Sequence, residues 1–207
     1  VCARGRLINS GQSCIAAKRL IVHESVYGEF RELLIRELRS FAVGDPLEER
    51  TDVGPQARAD LRDELHGQVT RSAAAGATLV LGGTIPEGPG AYYPVTLLED
   101  VAPGMPAYEE ELFGPVAVLV RARDEADGVR IANDSSFGLG AAVFSRDVER
   151  ARRIAVDELQ AGACFVNGLV KSDPRLPFGG VKDSGYGREL SFPGIRSFVN
   201  AKTVWVQ

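Results

Sequence analysis

Apolar and polar positions along the chain follow two periods, and they predict strands alternating with helices. Lys18 to His23 encloses the apolar run Leu20-Ile21-Val22, a short buried strand. Glu24-Ser25 then opens a helix whose apolar stripe is Val26, Phe30, Leu33, Leu34 and Leu38, stopped by Gly44-Asp45-Pro46. A second helix runs from Ala57 to about Ala75, with Leu61, Leu65 and Val69 on one face and Gly76 as its stop. Thr78 to Leu81 is a strand closed by Gly82-Gly83, Pro86 to Gly90 a loop, and Tyr92 to Leu98 extended. Val116 to Val120 is apolar on both faces, as a central strand of a parallel sheet is. Asp124 to Asn133 is a helix, Ala141 to Phe144 a strand, Asp147 to Val156 a helix and Ala163 to Val166 a strand. This alternation predicts an α/β fold with a parallel sheet.

The remaining chain breaks the rhythm. Asn167 to Arg188 is rich in glycine and contains proline, and a loop of that length in a compact domain is usually functional. A short helix near Ser191 to Ser197 precedes a final strand, Thr203-Val204-Trp205-Val206, which is expected to pair with another chain.

Composition narrows the class. The chain has 207 residues, 44% hydrophobic and 25% charged, close to globular averages, which disfavours disorder and coiled coil. With a net charge of −4 and no dense basic block, nucleic acid is not an expected partner. The cluster Arg146 to Arg153 is interleaved with acids at helical spacing and reads as a solvated face. No apolar run reaches the length of a membrane span and no signal peptide opens the chain, so the expected compartment is the cytoplasm. Cys2, Cys14 and Cys164 are an odd, widely spaced set that suits free thiols. His23 and His66 lie far apart and there is no Cys-x-x-Cys pair, so no metal site is expected. The chain begins at Val1, almost directly in front of Cys14, which suggests a piece of something longer.

The chemistry-bearing stretch is Asn9-Ser10-Gly11-Gln12-Ser13-Cys14-Ile15-Ala16-Ala17-Lys18-Arg19, a polar turn that delivers a cysteine into an apolar segment. A thiol held there can serve as a nucleophile. Taken alone, an isolated cysteine is more often a small buried hydrophobe than a nucleophile. Two distant stretches change that reading: Glu110-Glu111-Leu112-Phe113-Gly114-Pro115, and Pro177-Phe178-Gly179-Gly180-Val181-Lys182-Asp183-Ser184-Gly185-Tyr186-Gly187-Arg188-Glu189. In this order and spacing the three stretches resemble the C-terminal, catalytic-domain half of the NAD(P)-dependent aldehyde dehydrogenase superfamily, over essentially the whole chain. Within it, Gln12 to Arg19 and the ending Gly194 to Trp205 look most like bacterial succinate-semialdehyde dehydrogenases.

The resemblance implies an α/β catalytic domain over residues 1–190 with the cofactor-binding domain absent, and a tail over 191–207 that ends in an oligomerisation strand. It implies that Cys14 is the nucleophile, forming a thiohemiacetal and then a thioester, with NAD or NADP as hydride acceptor. The oxyanion would be met by the backbone N–H of the cysteine and an asparagine from an earlier part of the chain, and water would be activated by a glutamate also from that part; neither side chain is in this sequence. Glu111 matches the residue that bonds the nicotinamide ribose, and Phe113 the one that packs on the nicotinamide. Without the motif, Glu111 would read as a solvated acid in a run of three and Phe113 as core. Phe178 would face substrate or cofactor, and Glu189 would assist proton relay or form an ion pair with Arg188 or Lys182. Ser172 falls where a serine binds the distal carboxylate of a semialdehyde, whereas the position that carries an arginine in some of those enzymes is Ile8 here; Arg6 and Arg175 are the substitutes. The expected partners are a small-molecule aldehyde and further copies of the chain, joined through the terminal strand. Two other readings stand beside it: a non-catalytic, oligomerising remnant, and a cysteine-dependent esterase or acyl-transfer enzyme that works without nicotinamide.

Overall fold

The computed structural model describes all residues, Val1 to Gln207, as two compact units, residues 1–135 and 136–207. The first unit is a sheet with helices on both faces. Its strands β1 (Arg19–His23), β2 (Thr78–Leu81), β3 (Thr96–Glu99) and β4 (Val116–Ala122) lie in the order β1-β4-β3-β2. Strand β4 pairs in parallel with β1 and with β3, and β2 closes the edge antiparallel. The central place of β4 follows from its sequence, because a strand apolar on both faces must be covered on both.

Alternate residues carry this out. Val116, Val118 and Val120 enter one core with Leu98 of β3, Tyr93, Ile131, and Leu65 and Val69 of helix α3 (Ala59–Ala74). Ala117 and Leu119 enter the opposite core with Leu97, Leu20, Val22, and Tyr27, Leu34 and Leu38 of helix α2 (Glu24–Ser40). Helix α1 (Cys2–Leu7) adds Ala3 and Leu7 to that second core, and helix α5 (Glu125–Asn133), capped by Asp124 through the Asp127 amide, supplies Ile131 to the first. Helix α4 (Pro106–Glu109) is a single turn set by Pro106.

Several boundaries depart from expectation. Helix α2 stops at Ser40, short of Gly44, because the next residues pair with the chain ahead: the Ala42 carbonyl accepts from the Asp52 and Val53 amides, and Val43 bridges Val53. Its buried stripe is Tyr27, Leu34 and Leu38, while Val26 and Leu33 are exposed. Helix α1 and helix α4 were not expected from the pattern; both are too short to show a period.

The second unit holds a parallel pair, β6 (Gly140–Val143) with β7 (Ala163–Val166), and a two-residue antiparallel pair, β5 (Phe137–Gly138) with β8 (Val181–Lys182). Helix α6 (Val148–Arg153) continues into a single π turn over 154–158. Asn167 joins the ends of the parallel pair, its amide donating to the Ser145 carbonyl and accepting from the Ser145 amide, both at 2.9 Å. Residues 167–190 are mostly irregular, and helix α7 (Ser191–Arg196) follows. The expected strand at 203–206 is not formed within the chain: these residues have no regular structure, and Val204, Trp205 and Val206 are exposed. No helix is long and apolar enough to cross a membrane.

Candidate active site

The Cys14 segment begins in strained backbone. Asn9, Ser10 and Gly11 all have left-handed φ, at 49°, 55° and 74°. For the two non-glycines such a conformation costs on the order of 1 kcal/mol each, so it persists only where the surroundings fix it. They do so from several sides. The Asn9 side-chain Nδ2 donates to the Gln12 carbonyl at 2.9 Å, and the Ser10 hydroxyl accepts from the Gly54 backbone amide at 2.9 Å. The Gln12 side chain uses both ends, accepting from the Ala57 amide at 2.8 Å and donating to the Pro55 carbonyl at 3.2 Å. Behind the turn, Arg6 is 1% exposed and donates to the Gly11 carbonyl at 2.7 Å. Burial pushes its guanidinium down to about 10, with the Glu111 charge opposing. Arg6 therefore faces the turn from inside and is not exposed for a substrate carboxylate.

Cys14 itself sits in a turn closed by the Ala16 amide on the Ser13 carbonyl at 2.9 Å. It is exposed, and its backbone N–H donates to no acceptor in the chain. The other two thiols, Cys2 and Cys164, are half-buried, and burial pushes both up. Exposure thus singles out Cys14 among the three.

The Glu110–Pro115 stretch is packed against this turn. A β carbon on Gly11 would stand 2.0 Å from the Gly114 carbonyl oxygen, so the two backbones touch where only glycine fits. On its other side Gly114 meets Leu65 and Gln56. The Gln56 amide is buried with neither its oxygen nor its nitrogen hydrogen-bonded. The neighbouring acids divide their work. Glu109 accepts from the Gly104 amide at 3.0 Å, and Glu110 accepts from Gln68 at 2.8 Å and Arg71 at 3.4 Å. The Glu111 carboxylate is exposed and makes no hydrogen bond or ion pair within the chain, although its charge reaches Arg6 and Lys18. Phe113 is 42% exposed, while its neighbours Leu112 and Gly114 are buried. The segments that carry Cys14 and Glu111–Phe113 thus meet in the first unit, at Gly11 and Gly114.

In the second unit, Ser172 is exposed on the irregular stretch. Arg175 is held by Asp173 in a forked pair, at 2.9 and 2.6 Å, which keeps the Asp173 carboxyl well below the usual carboxylate range. Phe178 is buried, and its backbone pairs with that of Glu189 through two hydrogen bonds, 2.9 and 2.8 Å. Glu189 is exposed, and the Arg188 guanidinium donates to the carbonyls of Gly180 and Gly187.

Sequence reasoning did not single out Gln12, Gln56 or Lys18. Gln12 and Lys18 stand inside the quoted cysteine stretch, but polar residues in a turn carry no sign of what they hold.

The aldehyde dehydrogenase family model matches residues 1–204. The chain is 49% identical over 201 residues to a succinate-semialdehyde dehydrogenase [NADP(+)] of Mycobacterium avium, covering 97% of this chain and 42% of that one. It is 48% identical to the corresponding enzyme of Mycobacterium ulcerans, covering 98% and 44%. Among solved structures, succinic semialdehyde dehydrogenase from Streptococcus pyogenes, in complex with NADP+, superposes with a TM-score of 0.96 at 37% identity, over 100% of this chain and 45% of that one. Betaine aldehyde dehydrogenase from Staphylococcus aureus, in complex with NAD+, gives 0.91 at 30% identity, over 95% and 40%. The chain thus spans less than half the length of the relatives it matches. With this match along nearly all of its length, and with the three motifs in place, the chain belongs to the aldehyde dehydrogenase family.

Proposed function

We propose that this chain carries the nucleophile and part of the cofactor site of an NAD(P)-dependent aldehyde dehydrogenase that oxidises an aldehyde, by this reading succinate semialdehyde, to its acid. The observation that carries it is the pairing of an exposed Cys14 with an exposed Glu111 carboxylate that makes no hydrogen bond within the chain, on two segments locked together at Gly11 and Gly114. The residues suit a dinucleotide: an open carboxylate can accept from a pair of ribose hydroxyls, and the exposed Phe113 ring offers a flat apolar face.

The chemistry of the chain's own groups follows. The Cys14 thiolate attacks the aldehyde carbon, forming a carbon–sulfur bond as the carbonyl electron pair moves to oxygen. The open Cys14 amide is a donor for that oxyanion. Bound NAD(P)+ would supply the acceptor for the hydride that must leave this carbon to give a thioester. Water then displaces sulfur, releasing the acid and returning Cys14 to the thiol. The asparagine and glutamate implied by the resemblance have no counterpart in these residues, so residues 1–207 by themselves are proposed to fall short of full turnover.

On the substrate side, Ser172 is assigned to the distal carboxylate, Phe178 to the substrate wall and Glu189 to proton relay. Arg6 and Arg175 are committed elsewhere, to Gly11 and Asp173, which leaves the exposed Ser172 hydroxyl as the chain's candidate donor. The names of the relatives support the semialdehyde and favour NADP, with NAD as the alternative. We assign residues 1–190 to the catalytic domain and 191–207 to a tail whose exposed Val204-Trp205-Val206 run pairs with a second copy of the chain. Free thiols at Cys2, Cys14 and Cys164 support a cytoplasmic setting.

The test is a steady-state assay of the purified protein with succinate semialdehyde and NADP+ or NAD+, following reduced nicotinamide. Little or no sustained oxidation is expected from residues 1–207 alone, and robust turnover overturns the proposed shortfall; any oxidation seen should be abolished by Cys14→Ala, and oxidation that survives this change overturns the assignment of Cys14.

A further inference from the structure

We propose that Lys18 is a positioning residue, whose ammonium ties the segment leaving Cys14 to the loop that presents Glu111 and so holds the carboxylate facing the dinucleotide. The proposal rests on the cofactor reading above. Lys18 stands between the Cys14 turn and strand β1, and its Nζ reaches across the chain to donate to the Tyr108 carbonyl at 3.1 Å and to the Glu110 carbonyl. The second of these carbonyls belongs to the peptide that leads directly into Glu111.

The loop has a second anchorage on helix α3. There Gln68 donates to the Glu110 carboxylate at 2.8 Å and to the Glu111 carbonyl at 3.2 Å. Held from α3 and from the Cys14 segment, the backbone around Glu111 is fixed while its carboxylate stays open. Lys18 thereby couples the segment that carries the nucleophile to the loop that presents Glu111 through backbone groups, which a side-chain substitution in the loop would not remove.

The charges facing Lys18 come from several elements: Arg6 and Arg19 repel it, Glu109 and Glu111 attract it. Burial is the largest influence and pushes the amine down to about 8. Below that pH the tether is a charge-assisted donor; above it, a neutral amine donates more weakly to the same carbonyls.

The experiment measures NADP+ and NAD+ binding by titration calorimetry between about pH 7 and pH 10, on the purified wild type, Lys18→Met and Lys18→Arg, alongside alkylation of Cys14 by iodoacetamide. Loss of one charge-assisted tether is expected to weaken dinucleotide binding about tenfold in Lys18→Met at neutral pH. The variant should also lose the weakening that the wild type shows above about pH 8, keep its Cys14 alkylation rate, and recover most of the affinity as Lys18→Arg. Binding and pH profile unchanged in Lys18→Met overturn the proposal, as does a loss that merely follows thermal stability and is not recovered by arginine. If the wild type binds neither dinucleotide, the cofactor reading fails instead. Amide exchange over residues 109–113 then decides: faster exchange in Lys18→Met upholds the tether, and equal exchange rejects it.

Discussion

Gly11 and Gly114 lie backbone to backbone, so close that a β carbon on Gly11 would fall 2.0 Å from the Gly114 carbonyl oxygen. This contact sets the Cys14 turn against the Glu111–Phe113 loop, and side chains cannot replace it. Gly11→Ala should therefore move the turn. The left-handed backbone at 74° alone disfavours alanine by about 1–2 kcal/mol, before the clash is counted. Expected outcomes are a lower Tm and a changed rate of Cys14 alkylation by iodoacetamide, since the displaced turn carries the thiol. A variant with an unchanged alkylation rate would show that the contact does not position the nucleophile.

Gln12 spends its whole amide on the 55–57 segment. Gln12→Leu leaves the Ala57 amide and the Pro55 carbonyl without their partner. The fold should lose about 1–3 kcal/mol by urea denaturation, the range for abandoned polar partners. Cys14 alkylation in the native state should change as well, because the released turn carries the thiol. An equal alkylation rate with lowered stability would confine Gln12 to a structural part.

The sheet centre offers a sharper stability test. Leu119 is 0% exposed between β1 and β3, in the core shared with Leu34 and Leu38. Leu119→Ala should cost about 2–5 kcal/mol, the range for buried leucine truncations. Denaturant unfolding checks it, and a cost under about 1 kcal/mol would mean that the position can collapse around the change.

Acid stability should depend on Asp127. Its carboxylate accepts from the Arg123 amide at 3.1 Å, from the Arg123 guanidinium at 3.3 Å and from Arg130 at 2.8 and 3.1 Å. These hold it well below the usual carboxylate range, the Arg123 amide contributing most. The folded value lies under the unfolded one, so the stabilisation is present above about pH 4 and is lost as pH falls through the folded value. Melting curves from about pH 7 down to about pH 3 should fall less steeply for Asp127→Asn than for the wild type. Parallel curves would remove Asp127 from the acid response.

Much of this was legible in the sequence, and the reasons for the rest are physical. Strand β4 declared itself by being apolar on both faces, and the helix expected from Asp124 to Asn133 is there, with Asp124 serving as its cap. The face of α2 was less readable: Tyr27 is buried instead of Val26 because the Arg121 guanidinium stacks over its ring at 4.0 Å and covers it. The burial of Arg6 has no sequence signal at all, since it exists to meet a carbonyl in a turn whose strain only the folded chain reveals. The terminal run at 203–206 has strand composition, but a strand needs a neighbour for its backbone groups, and the chain provides none there. At the site, the cysteine and the Glu111 loop were picked out by motif as candidates, whereas the division of labour among Glu109, Glu110 and Glu111 came from their partners.

The central claim is that Cys14 is the atom that attacks the aldehyde. The most direct measurement is mass spectrometry of proteolytic peptides after the intact protein is mixed with succinate semialdehyde and NADP+ and quenched in acid within a turnover. The peptide containing Cys14 should carry the mass of the acyl group as a thioester, and the peptides containing Cys2 and Cys164 should not. An acyl group on either of those two cysteines, or oxidation that proceeds with Cys14 never modified and withstands Cys14→Ala, would contradict it.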